Sequence, residues 1–130
     1  MTSTTARIEH VNFTVTDPDA SAALLIELFG WHIRWSGGAK NDGYTVHVGT
    51  EDDYFALYSP PSDLTSATDA GYQVNGLNHV ALVVDDLDEI ERRVRAAGIE
   101  PFSFGDYDPG RRFYFLDADG VEFEIVSYGS

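Results

Sequence analysis

The 130-residue sequence predicts an α+β fold built from two copies of one β-α-β-β-β unit. Residues 43–58 align without a gap with residues 111–126, and residues 9–15 align with residues 78–84. The second match places one histidine on another. Two matches in the same order along the chain indicate that one unit has been duplicated.

The duplication predicts one pseudo-symmetric domain over residues 1–130, because a stacked solenoid needs at least three repeats. The first repeat covers about residues 7–60 and the second about residues 77–128. A chain of this length buries most of its apolar surface, and 43% hydrophobic residues supply the core.

The first unit opens with an alternating segment at residues 10–16, which is typical of a strand with one buried face. Asp17 and Pro18 then provide a helix N-cap and a first helical residue. The helix is predicted to end at Phe29, before Gly30. The rest of the unit is predicted as strands at residues 31–35, 44–48 and 54–58, with a polar loop at residues 36–43.

The long connection at residues 59–76 precedes the second unit, and connections of this length are commonly lids, binding loops or interface segments. A strand is predicted at residues 78–84, followed by a helix with Asp86 and Glu89 at capping-box spacing. Gly98 ends that helix. The remaining strands are predicted at residues 99–104, 113–116 and 121–125.

An Asp-Gly turn at residues 119–120 joins the last two strands into a hairpin. After the turn, Phe123 and Ile125 alternate with Glu122 and Glu124, so two acids share one strand face. The simplest explanation is a sheet face in water. A functional site on that face requires further evidence, which the repeated histidines supply.

Composition excludes several classes of partner. The net charge of −14 and the pI near 4.3 repel nucleic acids and anionic membranes at long range. The chain contains no cysteine, which excludes disulfides and thiolate metal sites. It has no apolar signal core and no run of membrane-spanning length, so we expect a cytoplasmic protein.

These features resemble the vicinal oxygen chelate superfamily, which includes glyoxalase I, bleomycin-binding proteins, type I extradiol dioxygenases, fosfomycin-modifying enzymes and methylmalonyl-CoA epimerase. The resemblance rests on the β-α-β-β-β repeat, on the histidines His10 and His79, and on residues 113–125. Ala118 departs from the usual proline of that last motif. The resemblance implies that each unit forms half of a cup, so the mixed sheet is barrel-like with its helices outside.

The resemblance also implies that the first and last strands of each unit present one residue each to a divalent metal ion. The corresponding positions are His10, Ala56, His79 and Glu124. Alanine cannot coordinate a metal, so two imidazoles and one carboxylate remain. This set suits Fe(II) or Mn(II), and it also accepts Zn(II) or Ni(II). A single histidine early in a strand is commonly structural, but two at equivalent places favour ligation.

Two other histidines are predicted to lie outside the metal site. His47 aligns with Phe115 in the gap-free repeat, which places it on the apolar strand face. His32 lies beside Trp31 on an early strand. Both are expected to be packed or rim residues.

The implied function is a metal-dependent enzyme whose small substrate chelates the ion through two neighbouring oxygens. Tyr114 matches the catalytic tyrosine of extradiol dioxygenases and is the candidate acid/base or hydrogen-bond donor, with Glu122 as a second candidate base. Ala56 removes the fourth ligand of glyoxalase I, so a dioxygenase is favoured over a lyase or isomerase. The second-sphere histidine of the dioxygenases and the lysine and serine of fosfomycin-modifying enzymes are not found.

The competing hypothesis is a non-catalytic binding protein of the bleomycin-resistance type, whose acidity attracts a cationic drug. Several aromatic residues are candidates to line its pocket: Trp31, Trp35, Tyr44, Tyr54, Tyr58 and Tyr72. Core packing explains most of them equally well. The apolar first helix and the long connection also predict a homodimer.

Overall fold

The structure, a computed structural model, describes residues 4–107 and 109–128. The chain forms two compact units, the first ending at Leu64 and the second beginning at Thr65. Each unit has one four-stranded mixed sheet and one α-helix. The duplicated β-α-β-β-β order predicted from the sequence is confirmed, and each sheet is curled but not closed.

The first unit is built on one mixed sheet. Its elements are β1 (His10–Thr14), α1 (Pro18–Phe29), β2 (His32–Gly38), β3 (Tyr44–Gly49) and β4 (Tyr54–Ser59). The strand order is β1-β4-β3-β2, with β1 parallel to β4 and the other neighbours antiparallel. A single 3-10 turn at Lys40–Asp42 joins β2 to β3.

Helix α1 begins and ends where the sequence predicts. The Asp17 carboxylate accepts a hydrogen bond from the amide of Ala20 at 3.2 Å, which satisfies one of the exposed donors of the first turn. Gly30 closes the helix in the left-handed region, at φ 71°, where a side chain would be strained. The buried residues Ala22, Leu25 and Leu28 hold the helix against the sheet.

The second unit repeats this design. Its elements are β5 (Val80–Val83), α2 (Leu87–Ala96), β6 (Phe102–Tyr107), β7 (Gly110–Leu116) and β8 (Glu122–Ser127). The strand order is β5-β8-β7-β6, and β5 is parallel to β8. Asp86 caps α2 by accepting from the amide of Glu89 at 3.1 Å, as the capping-box spacing predicts.

Each sheet turns one face toward its helix and the other away from it. The helix-side face holds the core, formed in the first unit by Val46, Val48, Phe55 and Leu57, and in the second by Phe113, Phe115, Phe123 and Ile125. We call the opposite side of each sheet its open face. Because side chains alternate along a strand, the residues between these core positions belong to the open faces.

The gap-free alignment of the two units is wrong by one residue on β3. Four residues separate the paired positions Gly49 and Tyr54, whereas five separate Leu116 and Glu122. A shift of one residue moves every side chain to the other face of the sheet. His47 is therefore equivalent to Tyr114, not to Phe115, and lies on the open face.

Several strand ends also differ from the predictions. β2 begins one residue later and continues to Gly38, into the predicted polar loop, because its backbone pairs with β3 as far as Tyr44. Likewise β6 begins at Phe102, not at residue 99, and continues past residue 104 to Tyr107. Its last residues are polar, but their backbone pairs with β7 and so extends the strand. Bulges interrupt both edge strands, between Ile33 and Trp35 and between Phe102 and Gly105.

The connection between the units contains little regular structure. One 3-10 turn at Ala70–Tyr72 lies within it, and the boundary between the two units falls inside the connection that the sequence predicts. No helix among the residues described is long and apolar enough to span a membrane.

Candidate functional site

Glu124 lies at the centre of the open face of the second unit. On β8 it pairs with Tyr114 of β7 on one side and with Ala81 of β5 on the other. The alternation that buries Phe123 and Ile125 against the helix side directs this carboxylate to the opposite face. Glu124 is nevertheless only 8% exposed, so its negative charge needs partners.

One partner is His79, which immediately precedes β5. Its Nε2 atom lies 3.0 Å from Oε1 of Glu124. Its Nδ1 atom lies 2.6 Å from Oδ1 of Asn78, whose amide is oriented by donating to the carbonyl of Gly71 at 3.3 Å. The Nδ1 atom therefore carries a proton, and Nε2 is the nitrogen available for coordination.

The pair formed by His79 and Glu124 fits a divalent metal ion. A nitrogen lone pair and a carboxylate oxygen repel each other at this distance unless a proton or a cation lies between them. Two ligand atoms that each lie about 2.1 Å from one ion, with an angle of about 90° at the ion, are about 3 Å apart. The observed separation of 3.0 Å equals both that spacing and the length of a hydrogen bond from a protonated imidazole. Imidazole and carboxylate are also ligands that Mn(II), Fe(II) and Zn(II) share.

Arg112 is the second partner of Glu124, and the sequence analysis missed it. Its Nη1 atom donates to Oε2 of Glu124 at 2.9 Å, and its guanidinium stacks over the ring of Tyr107 at 5.0 Å. The side chain of Arg112 is only 14% exposed. The two oxygens of Glu124 are thus divided, one facing His79 and the other bound by Arg112.

The sequence pattern of β7 indicates the face of the strand on which Arg112 lies. On β7 it alternates with the buried residues Phe113 and Phe115, and so shares a face with Tyr114. The adjacent Arg111 points the other way and pairs with Asp88 at 3.0 Å on the surface. The alternation along β7 therefore distinguishes Arg112, which faces Glu124, from Arg111, which lies on the surface.

Tyr114 lies beside both predicted ligands of the second unit. Its ring meets the ring of His79 edge-on at 5.8 Å and stacks with Phe102 at 6.1 Å. Burial and the negative charge of Glu124 raise the pKa of the Tyr114 hydroxyl. The hydroxyl stays protonated at neutral pH and acts as a hydrogen-bond donor.

Glu122, the second candidate base, lies two residues before Glu124 on β8. It lines a cleft of about 470 Å³ together with Tyr72, Asn78 and Gly120, all within the second unit. Glu122 therefore lines the same cleft as Asn78, the residue that orients His79.

The remaining predicted ligand, His10, lies on the open face of the first unit. Its Nδ1 atom lies 2.8 Å from Oε1 of Glu9, an arrangement that leaves Nε2 available for coordination. Glu9 and Asn78 occupy equivalent positions in the two units, so the same device orients both histidines. The hydrogen bond with His10 lowers the pKa of Glu9.

Ala56, the alanine at the fourth ligand position, lies between Asn12 and His47 on the same open face. It is only 2% exposed. The ring of its cross-strand neighbour His47 stacks on Tyr54 at 4.7 Å and meets Trp35 edge-on at 5.3 Å. Burial, then the charges of His10 and Arg34, lower the pKa of His47.

The other aromatic residues proposed as a pocket lining divide between the two faces. Trp31 packs on Phe29 and Phe55 on the helix side. The Tyr58 hydroxyl donates to the carbonyl of Lys40 at 3.0 Å, and that of Tyr44 donates to Asp19 at 2.7 Å. Trp35 and Tyr54 lie on the open face.

The predicted ligands are thus distributed over both units. The second unit brings His79 and Glu124 together, and the first unit carries His10. Within neither unit do the described residues gather three histidine, aspartate or glutamate side chains into one metal-binding group.

Comparison with known proteins identifies a family. The Glyoxalase/Bleomycin resistance protein/Dioxygenase superfamily matches residues 7–125 of the chain. The match therefore covers both units and every predicted ligand.

Individual relatives are more distant. A glutathione transferase, FosA, of Serratia marcescens is 28% identical over 122 residues, which are 91% of this chain and 78% of that protein. A glyoxylase/bleomycin resistance protein/dioxygenase domain from Frankia sp. EAN1pec superposes with a TM-score of 0.83 at 23% identity, covering 98% of this chain and 95% of that one. The fosfomycin resistance protein FosX of Listeria monocytogenes, in complex with Mn(II) and sulfate, superposes with a TM-score of 0.70 at 22% identity over 97% and 94% of the two chains.

The Arg112 contact generates a stability prediction. We expect Arg112→Met to lower the free energy of unfolding by about 3 kcal/mol in metal-free buffer, because it leaves a nearly buried carboxylate without its cation. Arg111→Met is the matched control, since it removes an exposed ion pair and is expected to cost less than about 1 kcal/mol. Urea denaturation of both variants measures the difference. Equal losses would show that Arg112 does not stabilise Glu124.

Proposed function

Because the chain belongs to the Glyoxalase/Bleomycin resistance protein/Dioxygenase superfamily, we propose that it is a divalent-metal-dependent enzyme. Its proposed substrate is a small oxygenated molecule that binds the ion through two neighbouring oxygens. His10, His79 and Glu124 are the proposed ligands. The observation that carries this proposal is the 3.0 Å approach of His79 Nε2 to Glu124 Oε1, with the opposite nitrogen already bound to Asn78.

Two further observations support a metal. The hydrogen bonds that His10 donates to Glu9 and that His79 donates to Asn78 orient both imidazoles in the same way, as outer-shell partners of metal-bound histidines do. Among the structural neighbours, FosX has been crystallised with Mn(II). Fe(II) or Mn(II) is therefore the proposed ion, with Zn(II) and Ni(II) as alternatives.

The residues around the site have separate roles in this proposal. A bound ion supplies Lewis-acid polarisation of the substrate oxygens. Tyr114, kept protonated by burial and by Glu124, donates a hydrogen bond to the substrate. Arg112 holds Oε2 of Glu124, so that only Oε1 is directed toward His79. Glu122, in the adjacent cleft, is the proposed base that accepts a proton from the substrate.

Within the superfamily, a dioxygenase-like reaction is our first proposal. Two imidazoles and one carboxylate would leave the other coordination positions to substrate and oxygen, and Tyr114 lies beside His79 and Glu124. A glyoxalase-like lyase or isomerase is the second, because Tyr114 and Glu122 also provide a proton donor and a base.

A non-catalytic binding protein is the alternative from a different class, and one contact favours it. The ion pair with Arg112 gives Glu124 a counter-charge without any metal. A carboxylate whose charge is already balanced by an arginine does not require a metal ion. This arrangement suits a protein that binds its ligand without an ion.

The metal site is tested by titration. We expect the wild-type protein to bind one Mn(II) per proposed set of ligands, and His79→Ala to bind it at least about 100-fold more weakly, because one of only three protein ligands is lost. His32→Ala is the matched control, since His32 forms an exposed pair with Glu51 at 3.0 Å. Undiminished affinity in the His79 variant would rule out the assignment.

A second titration separates the enzyme from the binding protein. Calorimetry with catechol, performed without oxygen, is expected to give much tighter binding to the Mn(II)-loaded protein than to the metal-free protein. The same affinity in both states would favour the non-catalytic alternative.

We also propose that two copies of the chain associate. The outer side of α1 leaves Leu24 and Ile26 partly exposed, and the connection exposes Tyr72 and Val74 almost completely. Sedimentation equilibrium at micromolar concentration is expected to give twice the chain mass of 14.3 kDa. Val74→Glu is expected to shift the equilibrium toward the monomer. A single 14.3 kDa species in the wild-type protein would contradict the proposal.

A further inference from the structure

A chain of polar groups that begins in the connection orients His79. The carbonyl oxygen of Gly71 accepts a hydrogen bond from Nδ2 of Asn78 at 3.3 Å, and Oδ1 of Asn78 lies 2.6 Å from Nδ1 of His79. Nε2 of His79 then lies 3.0 Å from Oε1 of Glu124. We call these four residues the polar relay, and all of them belong to the second unit.

Gly71 determines the direction of the hydrogen bonds in the relay. A backbone carbonyl can only accept, so the Asn78 amide turns its NH2 group toward Gly71 and its oxygen toward His79. The amide oxygen can also only accept, so Nδ1 of His79 donates its proton. In a neutral imidazole the other nitrogen, Nε2, then faces the carboxylate of Glu124 with its lone pair.

Glu124 favours the opposite direction. Its carboxylate is an acceptor, so it favours a proton on Nε2 of His79. Nδ1 would then accept, and the Asn78 amide would have to turn over in order to donate to it. That rotation is costly, because it places the amide oxygen of Asn78 against the carbonyl oxygen of Gly71. The Gly71 carbonyl therefore opposes the tautomer that Glu124 favours.

The first unit orients its histidine without such a relay. Glu9 occupies the position of Asn78, and its Oε1 atom lies 2.8 Å from Nδ1 of His10. Because both oxygens of a carboxylate are acceptors, either rotation of Glu9 presents an acceptor to Nδ1. Asn78 carries a donor as well as an acceptor, so another group must select which of them faces the histidine.

The local fold of the connection brings the carbonyl of Gly71 to Asn78. The chain turns twice between residues 69 and 76, where the amides of Tyr72 and Gly76 donate to carbonyls three residues earlier, each at 2.9 Å. A Cβ atom at residue 76 would collide with a backbone carbonyl of the first turn. Glycine at that position lets the chain return close to itself before it reaches Asn78.

We propose that Gly71, acting through Asn78, is a positioning residue that selects the tautomer of His79 with the proton on Nδ1. The connection thereby controls whether Nε2 faces Glu124 with a lone pair, which can bind a cation, or with a proton. This inference rests on the proposed function in naming that cation as the metal ion. The relay itself is a property of the metal-free chain.

Gly71→Ala tests the first link of the relay. A Cβ atom at residue 71 would lie 2.8 Å from Nδ2 of Asn78, so the methyl group displaces the end of a flexible side chain and leaves the backbone in place. The φ angle of residue 71 is outside the left-handed region, so alanine can adopt it. Gly38→Ala is the matched control, because a Cβ atom there has no neighbour within 4 Å.

Long-range proton–nitrogen NMR spectra of isotope-labelled, EDTA-treated protein show which ring nitrogen of His79 carries the proton. At about pH 9, where free imidazole is neutral, we expect the wild type and Gly38→Ala to favour Nδ1 at least about tenfold. Gly71→Ala is expected to move most of the proton to Nε2, because Glu124 then determines the tautomer. The signals of His79 are those that His79→Ala lacks. An unchanged ratio in Gly71→Ala would overturn the inference.

Two substitutions of Asn78 test the second link. Asn78→Asp keeps an acceptor beside Nδ1, so the proton is expected to stay on Nδ1, and Gly71→Ala is expected to have no further effect in this background. Asn78→Leu removes both the donor and the acceptor, so the proton is expected to move to Nε2, and this variant tests the relay even if Gly71→Ala does not fold. A proton that stays on Nδ1 in Asn78→Leu would contradict the proposal.

The same variants distinguish a failure of this inference from a failure of the proposed function. Gly71→Ala is expected to bind Mn(II) about tenfold more weakly than the wild type, because the ion must displace the proton on Nε2. If the tautomer changes but His79→Ala binds Mn(II) normally, the relay stands and the metal assignment is wrong. If the tautomer does not change while His79→Ala loses Mn(II), the metal site stands and Gly71 does not position His79.

Discussion

The nearly buried carboxylate of Glu124 is the constraint on which the second unit depends. A charge that is 8% exposed is costly unless it is paired, and the sheet supplies His79 from the residue before β5 and Arg112 from β7. Both partners reach Glu124 because β8 lies between their strands. The parallel pairing of β5 with β8 is therefore as important to the site as the hairpin of β7 and β8. The division of the two carboxylate oxygens between an imidazole and a guanidinium follows from that strand order.

The two open faces have the same plan but different chemistry. His10 corresponds to His79, His47 to Tyr114 and Ala56 to Glu124, so each position has a counterpart in the other unit. The second unit uses its last strand to present a charged ligand. The first unit has alanine there, and ring side chains lie on the same face. The duplication thus separates a charged donor set in the second unit from an aromatic surface in the first unit.

Much of the fold is predictable from the sequence because local signals are strong. Asp17, Pro18 and Gly30 determine the ends of α1, and the alternation around Glu124 determines its face. His47 was misplaced because the two hairpins differ by one turn residue, and a gap-free alignment cannot detect a shift that pairing decides. The longer reach of β2 and β6 was missed for a similar reason, since backbone pairing overrides polar composition. The contact of Arg112 with Glu124 depends on neighbouring strands, although the alternation on β7 indicates its face.

Our main proposal is that one divalent ion binds His10, His79 and Glu124 through atoms that the hydrogen bonds of Glu9, Asn78 and Arg112 leave available. The most direct measurement is anomalous X-ray diffraction from crystals grown with Mn(II). We expect one strong manganese peak within about 2.3 Å of Nε2 of His79, Oε1 of Glu124 and Nε2 of a His10 residue, with Oε2 of Glu124 still bound to Arg112. A crystal grown with saturating Mn(II) that shows no manganese peak at Glu124 would contradict this proposal. A peak that lies beyond bonding distance of both histidines would also contradict it.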